Sequence, residues 1–153
     1  MTTHIEKILL HHATISQRDE SLKENRERVI ADILQGNHFR ALNHEGPYHL
    51  YLGFSENRLT IDIWNTTEQQ LEEIAIPLSR LRSTLRDYHI ICESYIDAVN
   101  NAEPHRVEAI DMGRRGMHDE GAQQLQDILG DWAETDKETA RKLFSLVYFL
   151  QLR

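Results

Sequence analysis

The chain has 153 residues, of which 40% are hydrophobic and 27% charged, a composition typical of one globular domain spanning residues 1–153. Its formal net charge of −8 disfavours nonspecific nucleic-acid binding, which depends on Lys and Arg side chains that neutralise phosphates. A single cysteine, Cys92, excludes an internal disulfide. No signal peptide is evident and no apolar run approaches the roughly 20 residues of a membrane span, so we expect a cytoplasmic protein without a membrane anchor.

The first half of the chain, residues 1–77, is predicted to hold strands and one helix. Residues 4–10 form a weak strand pattern, and residues 16–35 carry apolar side chains at helical spacing, with Ser16 suited to the helix start and Gly36 to its end. Two alternating runs, PYHLYLGF and RLTIDIW, are separated by the short SEN segment and predict an antiparallel hairpin. HFRAL before this hairpin and LEEIAIP after it are predicted as two further strands.

The second half, residues 78–153, is predicted to be helical. Apolar residues recur at three- and four-residue spacing from Leu78 to Val99, which indicates a long amphipathic helix. Pro104 is expected to begin a second helix that the glycine-rich stretch interrupts and that Gly130 ends. TDKE, residues 135–138, reads as a capping box before a last, buried helix.

Strands first and helices after them predict an α+β fold. We expect a small antiparallel β-sheet, a meander, that helices cover on one face, followed by a helical C-terminal half. Cys92 lies on the apolar stripe of the long helix, where core packing is its expected role.

The segment IDMGRRGMHDEG, residues 110–121, is the best-marked candidate site. Its glycines match neither common phosphate-binding loop motif. A helix break at Gly113 and Gly116 would nevertheless free backbone N–H groups, and Arg114 and Arg115 would add donors for phosphate or carboxylate. These four residues are therefore predicted to bind an anionic small molecule.

A catalytic use of the same segment is the alternative. Histidine ordinarily titrates near neutral pH, which makes His118 a candidate acid or base, with Asp111 or Glu120 to orient it. Such an enzyme would act on a small phosphorylated or carboxylated substrate. The spacing of the nine histidines predicts no metal site, and the sequence indicates no cofactor.

A structural role for the segment stays open as well. The two arginines would then turn inward and pair with acids of the protein itself. The acids in reach are of two kinds, those of the segment (Asp111, Asp119 and Glu120) and those of the preceding helix (Asp87 and Glu93).

A non-catalytic binding or regulatory module, oligomeric and in the simplest case a homodimer, is the leading functional hypothesis. No complete catalytic constellation is visible in the sequence. The strand faces opposite the apolar ones carry His49, Tyr51 and Trp64, and these aromatic side chains are candidates for the contact between subunits.

Four segments of the chain, GPYHLYL, DYHIICESYIDAV, EAIDMGRRGMHDEG and TARKLFSLV, carry a family resemblance. Together they resemble a bacterial, mainly alphaproteobacterial, family of small uncharacterised proteins of unknown function. The resemblance covers nearly the whole chain, from about Ile5 to Arg153, and the IDMGRRG block followed by H-x-E-G is its most specific part. It implies a bacterial cytosolic protein of this length and brings no activity, cofactor or catalytic residue with it.

Overall fold

The computed structural model describes residues 2–11 and 20–152. The expected helix start at Ser16 lies outside these residues, whereas the helix end before Gly36 is confirmed. Among the described residues, no helix combines the length and the apolar composition needed to cross a membrane. The elements in chain order are β1 (Ile5–Leu10), α1 (Glu20–Gln35), β2 (Phe39–Ala41), β3 (Tyr48–Ser55), β4 (Arg58–Trp64), β5 (Gln70–Pro77), α2 (Arg82–Asn101), α3 (Pro104–Leu129), β6 (Ala133–Thr135) and α4 (Lys137–Gln151).

The main sheet has four strands in the order β1-β3-β4-β5. β3, β4 and β5 form the predicted antiparallel meander, and the α+β class is confirmed. The expectation of a purely antiparallel sheet is wrong for β1, which pairs in parallel with β3. Parallel neighbours need a crossover connection, and the segment that contains α1 provides it.

The hairpin between β3 and β4 closes as tightly as the SEN segment predicts. Ser55 and Arg58 are paired, so only Glu56 and Asn57 form the loop. Both have positive φ angles, 51° and 63°, as the two central residues of a type I′ turn require. The local sequence thus sets the register of the hairpin.

The predicted strand at residues 38–42 exists as β2 but does not join the main sheet. It pairs antiparallel with β6, with Phe39 opposite Thr135 and Ala41 opposite Ala133. β6 has only three residues and was not predicted, because such a short segment carries no readable alternation. This small ribbon places the start of α4 beside the end of α1, where the Oγ1 of Thr139 accepts a hydrogen bond from the backbone N–H of His38.

The helices cover one face of the main sheet, and its alternating apolar residues point into the core. Leu50, Leu52, Ile61, Ile63 and Ile74 are all buried there. α4 is buried on most of its surface, as its continuous apolar pattern predicts.

The opposite face of the sheet carries the aromatic residues expected to contact another subunit. His49, Tyr51 and Trp64 are half-buried rather than exposed. The Tyr51 and Trp64 rings pack against each other with centroids 5.5 Å apart. These side chains therefore contact their own neighbours, which leaves less aromatic surface for a subunit contact than expected.

α3 is a continuous helix of 26 residues, so the predicted break in the glycine-rich stretch is wrong. A glycine inside a helix costs only about 1 kcal/mol relative to alanine, and packing against α2 and α4 outweighs it. At Gly113 an added Cβ would lie 2.9 Å from the Cδ1 of Ile91, and at Gly121 it would overlap the Phe144 ring. These two glycines allow neighbouring helices to approach closely, whereas Gly116 has nothing within 4 Å.

The N-terminus of α4 is capped one residue later than the capping box predicts. Asp136 is the N-cap, and its carboxylate accepts a hydrogen bond from the backbone N–H of Thr139 at 2.8 Å. Thr135 belongs to β6, so its backbone is committed to the ribbon and its hydroxyl does not cap the helix. The prediction was right about the helix and wrong about the residue that starts it.

Candidate functional site

The candidate site lies where α2, α3 and α4 meet. Arg114 and His118 are four residues apart on α3, and Arg141 and Ser145 are four residues apart on α4. This spacing places each pair on one helix face, one turn apart. Because the two faces meet, they form the wall of an open surface cavity of about 280 Å³, here called the arginine cavity. Its lining consists of Tyr88, Arg114, Arg115, His118, Arg141 and Ser145.

Arg114 is the most constrained of the three arginines. Its Nε and Nη2 atoms donate to Oδ1 of Asp111 at 3.0 and 2.6 Å. Its guanidinium also lies over the Tyr95 ring, 5.0 Å from the centroid, in a cation–π contact. The hydrogen bond from Arg114 is the main cause that holds the pKa of Asp111 below its usual range. Arg114 therefore has a fixed orientation at the edge of the cavity.

Arg115 shares the same carboxylate partner, since its Nε lies 3.0 Å from Oδ2 of Asp111. Its side chain is 69% exposed, so the guanidinium stays accessible from solvent. Arg141 pairs with Asp119 at 3.0 Å and approaches Glu138 at 3.9 Å.

The structure thus decides which acids pair with the arginines of the segment. Asp111 serves both of them, in agreement with the alternative that they pair with acids of their own segment. The acids of the preceding helix do not take part. Asp87 lies 3.7 Å from Arg86, and Glu93 lies 3.8 Å from His89.

His118 contacts α4 through its imidazole. Its Nε2 lies 2.7 Å from the Oγ of Ser145, and its ring packs against the rings of Tyr88 and Phe144, each 5.5 Å away. Burial lowers the pKa of His118, and the charge of Arg141 acts in the same direction. Its surroundings therefore favour the neutral imidazole over the charged one.

Tyr88 completes the wall from α2. Burial raises the pKa of Tyr88 to about 12, so its hydroxyl stays protonated at neutral pH. Tyr88 is therefore an uncharged member of the lining.

A second, smaller cavity of about 200 Å³ adjoins the first. The two cavities share His118, Arg141 and Ser145. The remaining lining of the second cavity is Val29, Asp32, Glu138 and Lys142. Its acidic and basic side chains balance, whereas the lining of the arginine cavity carries no carboxylate.

Four of the residues predicted for the site do not line the arginine cavity. Asp111 is one of them, although it pairs with two of the lining arginines. Glu120 is exposed, and two residues of helix turn it roughly 200° away from His118. Gly113 packs against α2, and Gly116 is open to solvent. With no helix break, the premise that these glycines free backbone N–H groups does not hold.

Sequence reasoning missed Tyr88, Arg141 and Ser145. The signal for the last two is the R-x-x-x-S spacing in RKLFS, which matches the R-x-x-x-H spacing in RRGMH. Each spacing alone is common, and only the packing of α4 on α3 gives them meaning.

Cys92 is half-buried, and burial raises the pKa of its thiol. This agrees with the packing role predicted for it and disfavours a nucleophilic one. Within residues 2–11 and 20–152, no group of three or more His, Cys, Asp or Glu side chains is placed to hold a metal ion.

Comparison with known proteins adds a family and no activity. Residues 2–153 match the model of a family described as "Uncharacterised protein family (UPF0262)". A UPF0262 protein of Rhodospirillum rubrum is 38% identical over 152 residues, covering 99% of this chain and 94% of the relative. A UPF0262 protein of Azorhizobium caulinodans is 41% identical over 145 residues, or 92% and 88% of the two chains. A UPF0262 protein of Erythrobacter litoralis is 37% identical over 154 residues, covering 97% of this chain and 96% of the relative. No solved structure matches the chain significantly.

Proposed function

Since this chain belongs to the bacterial UPF0262 family, whose members are uncharacterised, we propose a function from the site alone: it binds a small molecule through a phosphate or carboxylate group in the arginine cavity. The carrying observation is that three guanidinium groups line one open cavity together with an imidazole and two hydroxyl groups. Arginine is well suited to this task, because its planar donors match the oxygen atoms of both groups.

The local charge supports the proposal. Asp111 and Asp119 lie within 3.0 Å of the lining arginines and Glu138 lies 3.9 Å from Arg141, but none of the three carboxylates belongs to the lining of the cavity. The whole chain carries a net charge of −8. A cavity lined by three arginines and no carboxylate, on an acidic protein, is a feature that a purely structural ion-pair network does not need.

The structural alternative is that the arginines only tie the helices together. Arg114 fits that description, since it is held by Asp111 and Tyr95. Arg115 does not, because it is largely exposed and its contact with Asp111 is within the same helix. Exposed pairs of this kind contribute little to stability, about 0.3–0.5 kcal/mol.

The test is a thermal unfolding series with inorganic phosphate and with glutarate, at constant ionic strength against chloride. A ligand present at a hundred times its Kd stabilises the native state by about 2.7 kcal/mol. For a chain of this length, that corresponds to a rise in Tm of about 5–10 °C.

Two variants report on the site. Arg115→Gln and Arg141→Gln each remove one charged donor, which should weaken binding by about 1.5–3 kcal/mol, or roughly tenfold to a hundredfold in Kd. Arg40→Gln is the matched control, because Arg40 forms a comparable surface pair with Glu134 at 2.9 Å and does not line the cavity. If neither anion raises the Tm of the wild type, or if all three variants respond alike, the proposal is wrong.

Self-association is a second candidate function, and one observation favours it. Among the described residues, four of the five exposed large hydrophobic side chains lie on α2 and α3, namely Ile90, Ile96, Val99 and Met112. Ile96, Val99 and Met112 lie within residues 93–112, a stretch in which Ala98 is the one fully buried hydrophobic side chain. Two such helix pairs from two subunits have the components of a four-helix bundle.

Light scattering during size-exclusion chromatography tests this second candidate. A dimer that Ile96→Glu converts to a monomer would support it. A wild type that stays monomeric over a wide range of concentrations would exclude it. Leu34→Glu is the control, because Leu34 is an exposed hydrophobic residue on α1.

A further inference from the structure

The hydroxyl of Ser145 and the imidazole of His118 form a hydrogen-bonded pair across two helices. The distance between Oγ and Nε2 is 2.7 Å, within the range of a nucleophile and its general base. The hydroxyl lies on α4 and the imidazole on α3, so their contact depends on the packing of these helices.

The pair is accessible from solvent. Both residues belong to the lining of the arginine cavity and of the smaller cavity beside it. Because both residues are common to the two linings, a molecule in either cavity would lie beside the pair. A hydroxyl that merely linked two helices would not need this position.

The surroundings of the pair supply the remaining requirements. The rings of Tyr88 and Phe144 hold the imidazole in place. Arg141, one turn before Ser145 on the same helix face, is positioned to stabilise negative charge that develops beside the hydroxyl. Arg115 and Arg114 lie further along the same wall, where they can hold an anionic group of a substrate.

We propose that Ser145 and His118 act as nucleophile and base in the hydrolysis of an ester or thioester whose acyl group carries a second, anionic group. This inference rests on the proposed function, because the anionic group binds in the arginine cavity. The substrate class follows from the residues: the hydroxyl and the imidazole carry out acyl transfer, and the arginines select the charge.

The reaction proceeds in two balanced steps. The Oγ of Ser145 attacks the carbonyl carbon, its proton moves to Nε2 of His118, and the oxyanion forms beside Arg141. The bond to the leaving alcohol or thiol breaks, and that group takes the proton from His118. Water then attacks the acyl-serine with His118 as base, which releases the acid and restores Ser145.

The experiment uses the full chain and the 4-nitrophenyl monoester of glutaric acid. We expect a burst of one 4-nitrophenolate per chain, and a glutaryl adduct that peptide mapping assigns to Ser145. Ser145→Ala abolishes the adduct. His118→Gln retains a hydrogen-bonding side chain but no base, and it slows acylation by about 10²–10⁴-fold.

Controls separate catalysis from structure. Thr84→Ala also removes a hydroxyl that bonds across two helices, to Gln124 at 2.7 Å, yet lies outside both cavities; it should acylate like the wild type. The neutral ester 4-nitrophenyl acetate should react more slowly than the anionic ester, and Arg115→Gln should lower the ratio of the two rates. Peptide mapping of the wild-type adduct identifies the acylated residue even where Ser145→Ala folds poorly.

The outcomes distinguish the two proposals. If the wild type gains no adduct at Ser145 while glutarate still raises its Tm, the catalytic inference is wrong and the anion site stands. If, in addition, neither glutarate nor phosphate raises the Tm, both are wrong. Acylation that persists in Ser145→Ala, at a lysine or at the exposed Ser94, also overturns the inference.

Discussion

Three glycines of α3 offer a direct test of the helix packing. An alanine at each position gains helix propensity, about 0.8–1 kcal/mol in a helix interior. What differs is the space that the new methyl group meets. At Gly116 there is nothing within 4 Å, at Gly113 there is the terminal methyl of Ile91, and at Gly121 there are three carbons of the Phe144 ring.

The expected changes in stability follow in that order. Gly116→Ala should gain the full propensity term, which raises the Tm by about 2–4 °C. Gly113→Ala should stay within about 0.5 kcal/mol of wild type, because Ile91 is half-buried and its methyl can rotate at a cost that offsets the gain. At Gly121 the neighbour is the fully buried ring of Phe144, so an overpacking cost of about 3 kcal/mol leaves a net loss of about 2 kcal/mol.

Urea unfolding followed by far-UV circular dichroism measures all three variants. A double-mutant cycle isolates the clash: in the Gly121→Ala background, Phe144→Leu should cost at least about 1 kcal/mol less than it does in the wild type. If Gly121→Ala is as stable as Gly116→Ala, the close packing of α3 on α4 is refuted, and with it the position of the site between them.

Three further predictions concern single side chains. Asp136→Ala should destabilise the chain by about 1 kcal/mol, because it removes the cap of α4. Thr135→Val should cost no stability, since the Thr135 hydroxyl is buried without a hydrogen-bond partner. Urea unfolding compares the two variants. Burial and the nearby Glu73 raise the pKa of Asp62, so ionisation of this carboxyl group favours the unfolded chain. Asp62→Asn should therefore raise the Tm at pH 7, and this gain should disappear near pH 4. A pH series of thermal scans measures both. Because the pKa of His118 is lowered in the folded chain, the unfolded chain takes up this proton first, and stability is lost as the pH falls below about 6.5. His118→Gln should therefore lose less stability than the wild type between pH 7.5 and 5.5. An equal loss would contradict the burial of the imidazole.

The parts of the fold that depend on neighbouring residues could be predicted from the sequence. The tight turn at Glu56 and Asn57 and the apolar spacing of α2 are both local features. The parallel pairing of β1 with β3 could not be predicted, because strand direction depends on how the chain returns after α1. The continuity of α3 was mispredicted for a related reason: glycine propensity is a weak local preference, and contacts made by Gly113 and Gly121 with other helices override it.

The residues of the site also fall into those that local sequence indicated and those that only helix packing brings together. Asp111, Arg114, Arg115 and His118 come from one segment of α3, so their composition drew attention in the sequence. Ser145 lies 27 residues further along the chain, in an apolar run where a serine suggests only a tolerated polar residue. Its relation to His118 is created by helix packing, which no spacing within either helix encodes.

Gly121 affects both the packing of α3 on α4 and the geometry of the His118–Ser145 pair. It lies three residues after His118 on α3 and contacts Phe144, the residue before Ser145 on α4. A methyl group there would push the helices apart where Nε2 of His118 and Oγ of Ser145 are 2.7 Å apart. A longer distance would break this hydrogen bond and also move Arg141 away from Arg114. The glycine of the H-x-E-G motif therefore does not end or break a helix; it provides the space that lets two helices build one cavity.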